Sequence, residues 1–153
     1  MIFVTFGTQE SPFPRAVELV RPLGAAEKVL IQYGSTPPSY EAAGITWVQF
    51  LSYEEMLDAG SCATAFICHA GVGSIITARA LGKTPVVIPR LRRYREAVDD
   101  HQLEIASRFG ERGLVLPFFE EDDLAATIAR AAGSLERRPA SNRLHAAIAL
   151  ATA

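Results

Sequence analysis

Short apolar runs of strand length alternate along this chain with longer stretches of helical periodicity. Ile2 to Phe6 is the first such run and is closed by Gly7-Thr8-Gln9. Ser11 with Pro12 marks a helix start, and Val17, Leu19, Val20 and Leu23 supply its apolar face. Lys28 to Tyr33 reads as a second strand ending at Gly34-Ser35, after which Pro37-Pro38 forbids regular structure. Ile45 to Phe50 is a third strand, and Ser52 caps a helix over Tyr53 to Leu57 with Glu55 as its capping-box partner. Ala63 to Cys68 forms a fourth strand, followed by a glycine turn and a helix from Ile75 to Leu81 that stops at Gly82. Pro85 opens a fifth strand, Val86 to Pro89. An amphipathic helix spans Asp99 to Arg112 with Leu103, Ile105, Ala106 and Phe109 on one face, and Gly113 to Pro117 is the sixth strand. Helices over Glu121 to Ala132 and Asn142 to Leu150 complete the pattern. Strand and helix in regular alternation predict an α/β fold: a single Rossmann-like domain over residues 1–153, with a parallel sheet of about six strands, helices on both faces, and a helical tail over 134–153.

Composition narrows the partners. At 153 residues and 49% hydrophobic content the chain can build a core without disulfides or metal. A formal net charge of −2 supplies no basic field for nucleic acid. Cys62 and Cys68 fit no metal-ligand spacing, and Cys68 lies inside an apolar strand, so a reducing, cytoplasmic compartment is expected. The opening Met1 to Phe6 lacks the basic lead-in of a signal peptide. No apolar run reaches the roughly 20 residues that cross a bilayer.

The densest chemical signal is His69-Ala70-Gly71-Val72-Gly73-Ser74, two glycines and small residues where a strand gives way to a helix. Such a turn brings backbone N–H groups and a helix N-terminus close to a ligand, which favours an anion and typically a phosphate. Ser74 either caps the helix or donates to a phosphate oxygen, and His69 either satisfies the turn or touches ligand. Ligands of parallel α/β sheets bind beyond the carboxyl ends of the strands. That rule adds Gly7, Thr8 and Gln9 after strand one, Gly34 and Ser35 after strand two, and Arg90 after strand five, followed by Arg92, Arg93 and Arg95. Gly7 and Gly34 also read as plain turn glycines. Gly71 to Ile76 matches the dinucleotide fingerprint at only its first two glycines, and Arg90 stands where that fingerprint expects an acid. An NADP site uses arginine there, yet the fingerprint normally opens its fold.

Four segments carry a family resemblance: VTFGTQESPFPR, FLSYEEM, HAGVGSIITARALGKTPVVIPR and DDHQLEIASRF. Together they resemble the glycosyltransferase family 28 C-terminal domain, and more narrowly the small subunit of two-component glycosyltransferases of bacterial exopolysaccharide assembly and its eukaryotic counterpart acting on dolichol-linked sugar. The resemblance covers about residues 1–117. It implies one half of a GT-B enzyme that binds a UDP-sugar, while a separate membrane-anchored subunit holds a lipid-linked acceptor and supplies the catalytic base. It also implies a position peripheral to the inner face of the membrane through that partner. No cofactor or metal is expected, because protein N–H and cationic groups stabilise the departing UDP. Homo-oligomers are compatible with it. On the residues, it implies that Gly7, Thr8 and Gln9 face the donor phosphates and that His69, Ala70, Gly71, Val72, Gly73 and Ser74 meet the nucleotide. Asp100, His101 and Gln102 match an acidic-His-Gln segment near the donor sugar, and Arg90 is assigned beside it. Thr77 stands where the related peptidoglycan enzyme has a ribose-binding glutamate; it either makes one hydrogen bond or packs. Two other readings stand beside this one: a nucleotide-binding regulatory module without chemistry, and an NADP-binding oxidoreductase domain.

Overall fold

The computed structural model describes residues 1–135. Six parallel strands, β1 (Ile2–Thr5), β2 (Val29–Gln32), β3 (Ile45–Val48), β4 (Ala65–His69), β5 (Val86–Ile88) and β6 (Leu116–Pro117), form one sheet in the order β3-β2-β1-β4-β5-β6. Every neighbouring pair is parallel, with Phe3 opposite Leu30 on one side and Phe66 on the other. The helices are α1 (Pro14–Val20), α2 (Tyr53–Cys62), α3 (Val72–Ala80), α4 (His101–Glu111) and α5 (Leu124–Leu135). This is the expected α/β architecture, a parallel sheet clad on both faces. The predicted helix over Asn142 to Leu150 lies outside the described residues.

Strands β1 and β4 are central, and every residue from Ile2 to Thr5 and from Ala65 to Cys68 is buried. Unbroken apolar runs are what a two-sided burial demands. Alternation then sorts them. Ile2, Val4, Ile67 and Val86 pack on one face with Phe13, Ala16, Val17 and Val20 of the α1 region and with Leu124 and Ala131 of α5. Phe3, Phe66, Cys68 and Val87 pack on the other with Ile75 and Ala78 of α3 and Ala106 of α4, and Met56 and Ala59 of α2 lie against them. Burial pushes the Cys68 thiol well above its ordinary pKa, as expected of a thiol used as a hydrophobe.

Element boundaries differ from expectation where local chemistry outweighs pattern. Helix α1 begins at Pro14 with Phe13 as its cap residue, not at Ser11-Pro12, because the Phe13 ring is fully buried and its N–H is taken by the Thr36 hydroxyl at 2.9 Å. The helical segment after Val20 tightens into a 3-10 turn over Arg21–Ala25, with Pro22 in its first positions. Helix α2 has the Ser52–Glu55 capping box, Glu55 N–H to Ser52 Oγ at 3.1 Å and Ser52 N–H to Glu55 Oε2 at 2.7 Å, but runs on to Cys62. Helix α3 starts at Val72, three residues before the expected Ile75.

Candidate functional site

The strand order sets a topological switch point between β1 and β4. From β1 the chain turns to α1 on one face of the sheet, and from the adjacent β4 it turns to α3 on the other. The loops after these neighbouring strands therefore diverge at the topological switch point, where α/β sheets take their ligands. Gly7-Thr8-Gln9 stands on one lip and His69 to Ser74 on the other.

Within that turn the two glycines do different work from the one their conformational freedom suggests. Gly71 has φ −76° and ψ 128°, a backbone any residue adopts, and serves as the cap residue of α3. What it provides is space: a Cβ there would lie 2.1 Å from Cε1 and 2.7 Å from Nε2 of His69. Gly7, which does have positive φ (75°), closes on the same ring from β1, where a Cβ would lie 2.4 Å from His69 Nε2. The imidazole thus occupies a slot made by the absence of two side chains. Gly73 is the opposite case, exposed and with nothing within 4 Å of the place a Cβ would take.

The start of α3 offers donors to this opening. Its first intrahelical bond runs from Ile75 N–H to Gly71 O at 3.2 Å, so the N–H groups of Val72, Gly73 and Ser74 have no intrahelical acceptor. With the partial positive charge of a helix N-terminus they suit an anion. Ser74 is not the cap; its hydroxyl lies 3.4 Å from His69 Nε2 inside the first turn.

Behind the turn, Gln102 fastens the ends of two strands. Its Oε1 accepts the Ala70 N–H at 3.2 Å and the Arg90 N–H at 3.1 Å, and its Nε2 lies 3.3 Å from His69 Nδ1. Burial, reinforced by the nearby Arg90 charge, pulls the His69 pKa down to about 4, so the ring is neutral at physiological pH. Sequence reading placed Gln102 near a sugar; here its carbonyl is committed to backbone donors.

Four other candidates turn inward or away. Arg90 is 1% exposed, and its guanidinium donates to Phe6 O at 3.0 Å, to Ser11 O at 2.6 Å and to Glu96 O at 3.3 Å while stacking on Phe13. Arg90, expected beside the donor, here spends its guanidinium on carbonyls of the protein. Thr77 is buried and donates to Gly73 O at 2.9 Å, so its hydroxyl is spent within α3. His101 begins α4 in solvent with its Nδ1 3.7 Å from Glu104 Oε2, and the Asp100 carboxylate accepts the Arg92 N–H at 3.0 Å. Thr8 is exposed and Gln9 half-buried on the β1 lip.

Sequence reading missed Glu96, a buried acid that takes Arg15 through both oxygens, Nε–Oε1 at 3.0 Å and Nη2–Oε2 at 2.8 Å, and also accepts the Leu91 N–H. It stands within a run of arginines, and no local signal marks it. It also passed over Phe50 and Tyr53, exposed aromatics just beyond β3; the exposure of large rings after a strand end is visible only in three dimensions.

Known proteins resemble this chain in sequence and in fold. Residues 1–149 match the family described as glycosyltransferase family 28 C-terminal domain. Among curated relatives, the UDP-N-acetylglucosamine–N-acetylmuramyl-(pentapeptide) pyrophosphoryl-undecaprenol N-acetylglucosamine transferase of Geobacter sulfurreducens is 31% identical over 102 residues, covering 67% of this chain and 27% of the relative. Its counterpart in Geobacter metallireducens is 30% identical over the same length and shares. The chain thus spans about a quarter of the length of these relatives. Among solved structures, the glycotransferase of kitacinnamycin superposes with a TM-score of 0.65 at 17% identity, covering 95% of this chain and 37% of that one. The glycosyltransferase SnogD from Streptomyces nogalater gives 0.52 at 17% identity, with 99% and 42% covered. At that identity the likeness is one of fold.

Proposed function

Since the chain belongs to the glycosyltransferase family 28 C-terminal domain, we propose that it binds a UDP-sugar and forms the donor half of a hexosyltransferase. The observation that carries this reading is the start of α3 at the switch point, where the N–H groups of Val72, Gly73 and Ser74 have no intrahelical acceptor and nothing lies within 4 Å of the place a Cβ would take at Gly73. A diphosphate is the ligand such a set of donors complements. On this reading the leaving diphosphate is held by backbone N–H groups and Ser74, and no metal takes part. The NADP reading leaned on Arg90, whose guanidinium is occupied by protein carbonyls.

The finer part of the proposal is a two-component transferase. Residues 1–153 would act as one donor-binding domain, with a membrane-anchored subunit holding a polyprenyl-diphosphate-linked acceptor and carrying the base. What supports it is the resemblance of the four motifs to small subunits of that type, together with relatives whose names specify a pyrophosphoryl-undecaprenol acceptor. Among the described residues no helix is long and apolar enough to cross a membrane, so the proposal places the chain at the membrane through its partner.

Gly73→Asp is the test. The open space at residue 73 accepts the side chain, and a carboxylate in the first turn of α3 favours the helix by about 0.3–1 kcal/mol. The variant should therefore fold with an unchanged or higher Tm, and by calorimetric titration should lose at least tenfold in UDP affinity. A folded variant with unchanged affinity would move the site elsewhere. For the two-component reading, the purified chain is incubated with a UDP-sugar and a polyprenyl-diphosphate-linked acceptor; product at enzymatic rates without a second subunit would overturn it.

A further inference from the structure

The geometry points to Gln102 as a positioning residue that sets the tautomer of His69 and, through it, aims the Ser74 hydroxyl proton at the anion-binding opening. The inference rests on the donor-site reading above but makes a claim about the ligand-free protein as well.

The groups 3.2 and 3.1 Å from Gln102 Oε1 are the backbone N–H groups of Ala70 and Arg90, which can only donate. They fix which end of the amide is oxygen. The other end, Nε2, is then a donor, and it lies 3.3 Å from His69 Nδ1. In a neutral imidazole an Nδ1 that accepts leaves the proton on Nε2. That Nε2–H lies 3.4 Å from Ser74 Oγ, which becomes the acceptor. A hydroxyl whose oxygen accepts from the protein has its own proton free to point elsewhere, and Ser74 sits in the first turn of α3 beside the exposed Gly73. Two strand ends, an amide, an imidazole and a hydroxyl thus form one polarised chain that ends in a donor at the opening.

The slot keeps the chain from reversing. Gly7 and Gly71 close on the ring from two sides, which disfavours a ring flip that would exchange the nitrogens. The charge that faces the ring is the Arg90 guanidinium, which opposes protonation, while Gln102 and Ser74 are neutral partners. An imidazolium would donate from both nitrogens and break the order of the relay, so the repulsion from Arg90 preserves it. A glutamine suits this position because it accepts on one side and donates on the other. A carboxylate of the same shape only accepts.

The test uses that difference. Nitrogen NMR of the His69 ring in the ligand-free wild-type protein should show Nε2 protonated and Nδ1 bare at pH 7. Gln102→Glu retains an acceptor for the Ala70 and Arg90 N–H groups but replaces the donor facing Nδ1. The proton should then move to Nδ1 or the ring become doubly protonated, with the His69 pKa rising. UDP affinity at pH 7 should fall about tenfold, the worth of one hydrogen bond to a charged ligand. Ser74→Ala, which leaves Gln102 in place, should keep the Nε2–H tautomer while losing similar affinity. An Nδ1–H ring in the wild type overturns the proposal without any variant, and so does an unchanged ring in a folded Gln102→Glu protein. If the ring behaves as stated and the wild type binds no UDP, the nucleotide reading fails and the role of Gln102 in setting the tautomer stands.

Discussion

Gly71→Ala isolates the reason for a glycine at the mouth of this site. Its backbone, φ −76° and ψ 128°, is open to alanine, so no dihedral strain enters. At a helix cap residue the exchange of glycine for alanine costs roughly 0.5–1 kcal/mol by itself. Steric crowding costs more. A new methyl would stand 2.1 Å from Cε1, 2.7 Å from Nε2 and 2.9 Å from Nδ1 of His69. The ring cannot retreat toward β1, because Gly7 is already so close that a Cβ there would meet Nε2 at 2.4 Å. It must swing out, losing its contact with Gln102 at about 1 kcal/mol, or strain in place at the roughly 1–3 kcal/mol typical of overpacking. With the cap cost added to either outcome, we expect a total of about 1.5–4 kcal/mol. In a His69→Ala background the obstacle is gone and the same substitution should cost only the roughly 0.5–1 kcal/mol of the cap. Urea unfolding of the four proteins, read from midpoints at constant slope, gives the coupling directly. Equal costs in the two backgrounds would show that residue 71 must be glycine for some cause other than the imidazole.

Three further outcomes are expected. Arg90→Met strips a buried guanidinium from three carbonyls and should lower stability by about 3–5 kcal/mol in urea unfolding; a stable variant with weakened UDP binding would return Arg90 to the ligand. Thr77→Val should change UDP affinity less than about twofold by calorimetry, since the hydroxyl it removes serves Gly73 O. For pH, His69 titrates near its ordinary 6.5 when unfolded and at about 4 when folded. The unfolded chain binds the extra proton between these values, so wild-type stability should fall as pH drops through that window. The His69 share is on the order of 3 kcal/mol, and the His69→Gln protein should lack it when unfolding midpoints are compared across pH.

The sheet was readable because its strands are buried on both faces, and burial on both faces writes itself into the sequence as unbroken apolar runs such as Ile2 to Phe6 and Ala63 to Cys68. Boundaries were less readable. Ser11-Pro12 has the composition of a helix start, yet the burial of Phe13 and its bond to Thr36, 23 residues away, decided where α1 begins. Composition near a boundary carries no trace of such a contact. The order of strands, which puts β1 beside β4, was also out of reach, because alternation implies parallel neighbours without saying which.

At the site, position and cause came apart. Residues after strands one and four lie together at one edge of the sheet, as parallel strands require. The chemistry assigned to them followed residue type, and residue type is silent about orientation. A cation after a strand end is drawn toward whichever unpaired acceptors lie nearest, and for Arg90 these were carbonyls of the protein, three of them, already in place before any ligand arrives. Glutamine beside a histidine suggested two groups reaching for a sugar. Instead Gln102 reaches back to a different histidine, His69, 33 residues earlier, and leaves His101 in solvent. Free hydrogen-bonding capacity is left in plain groups at the start of α3: the N–H groups of Val72, Gly73 and Ser74 and the hydroxyl of Ser74. With Arg90 and Gln102 taken up in holding the backbone, the N–H groups at the start of α3 are what the proposed diphosphate would meet.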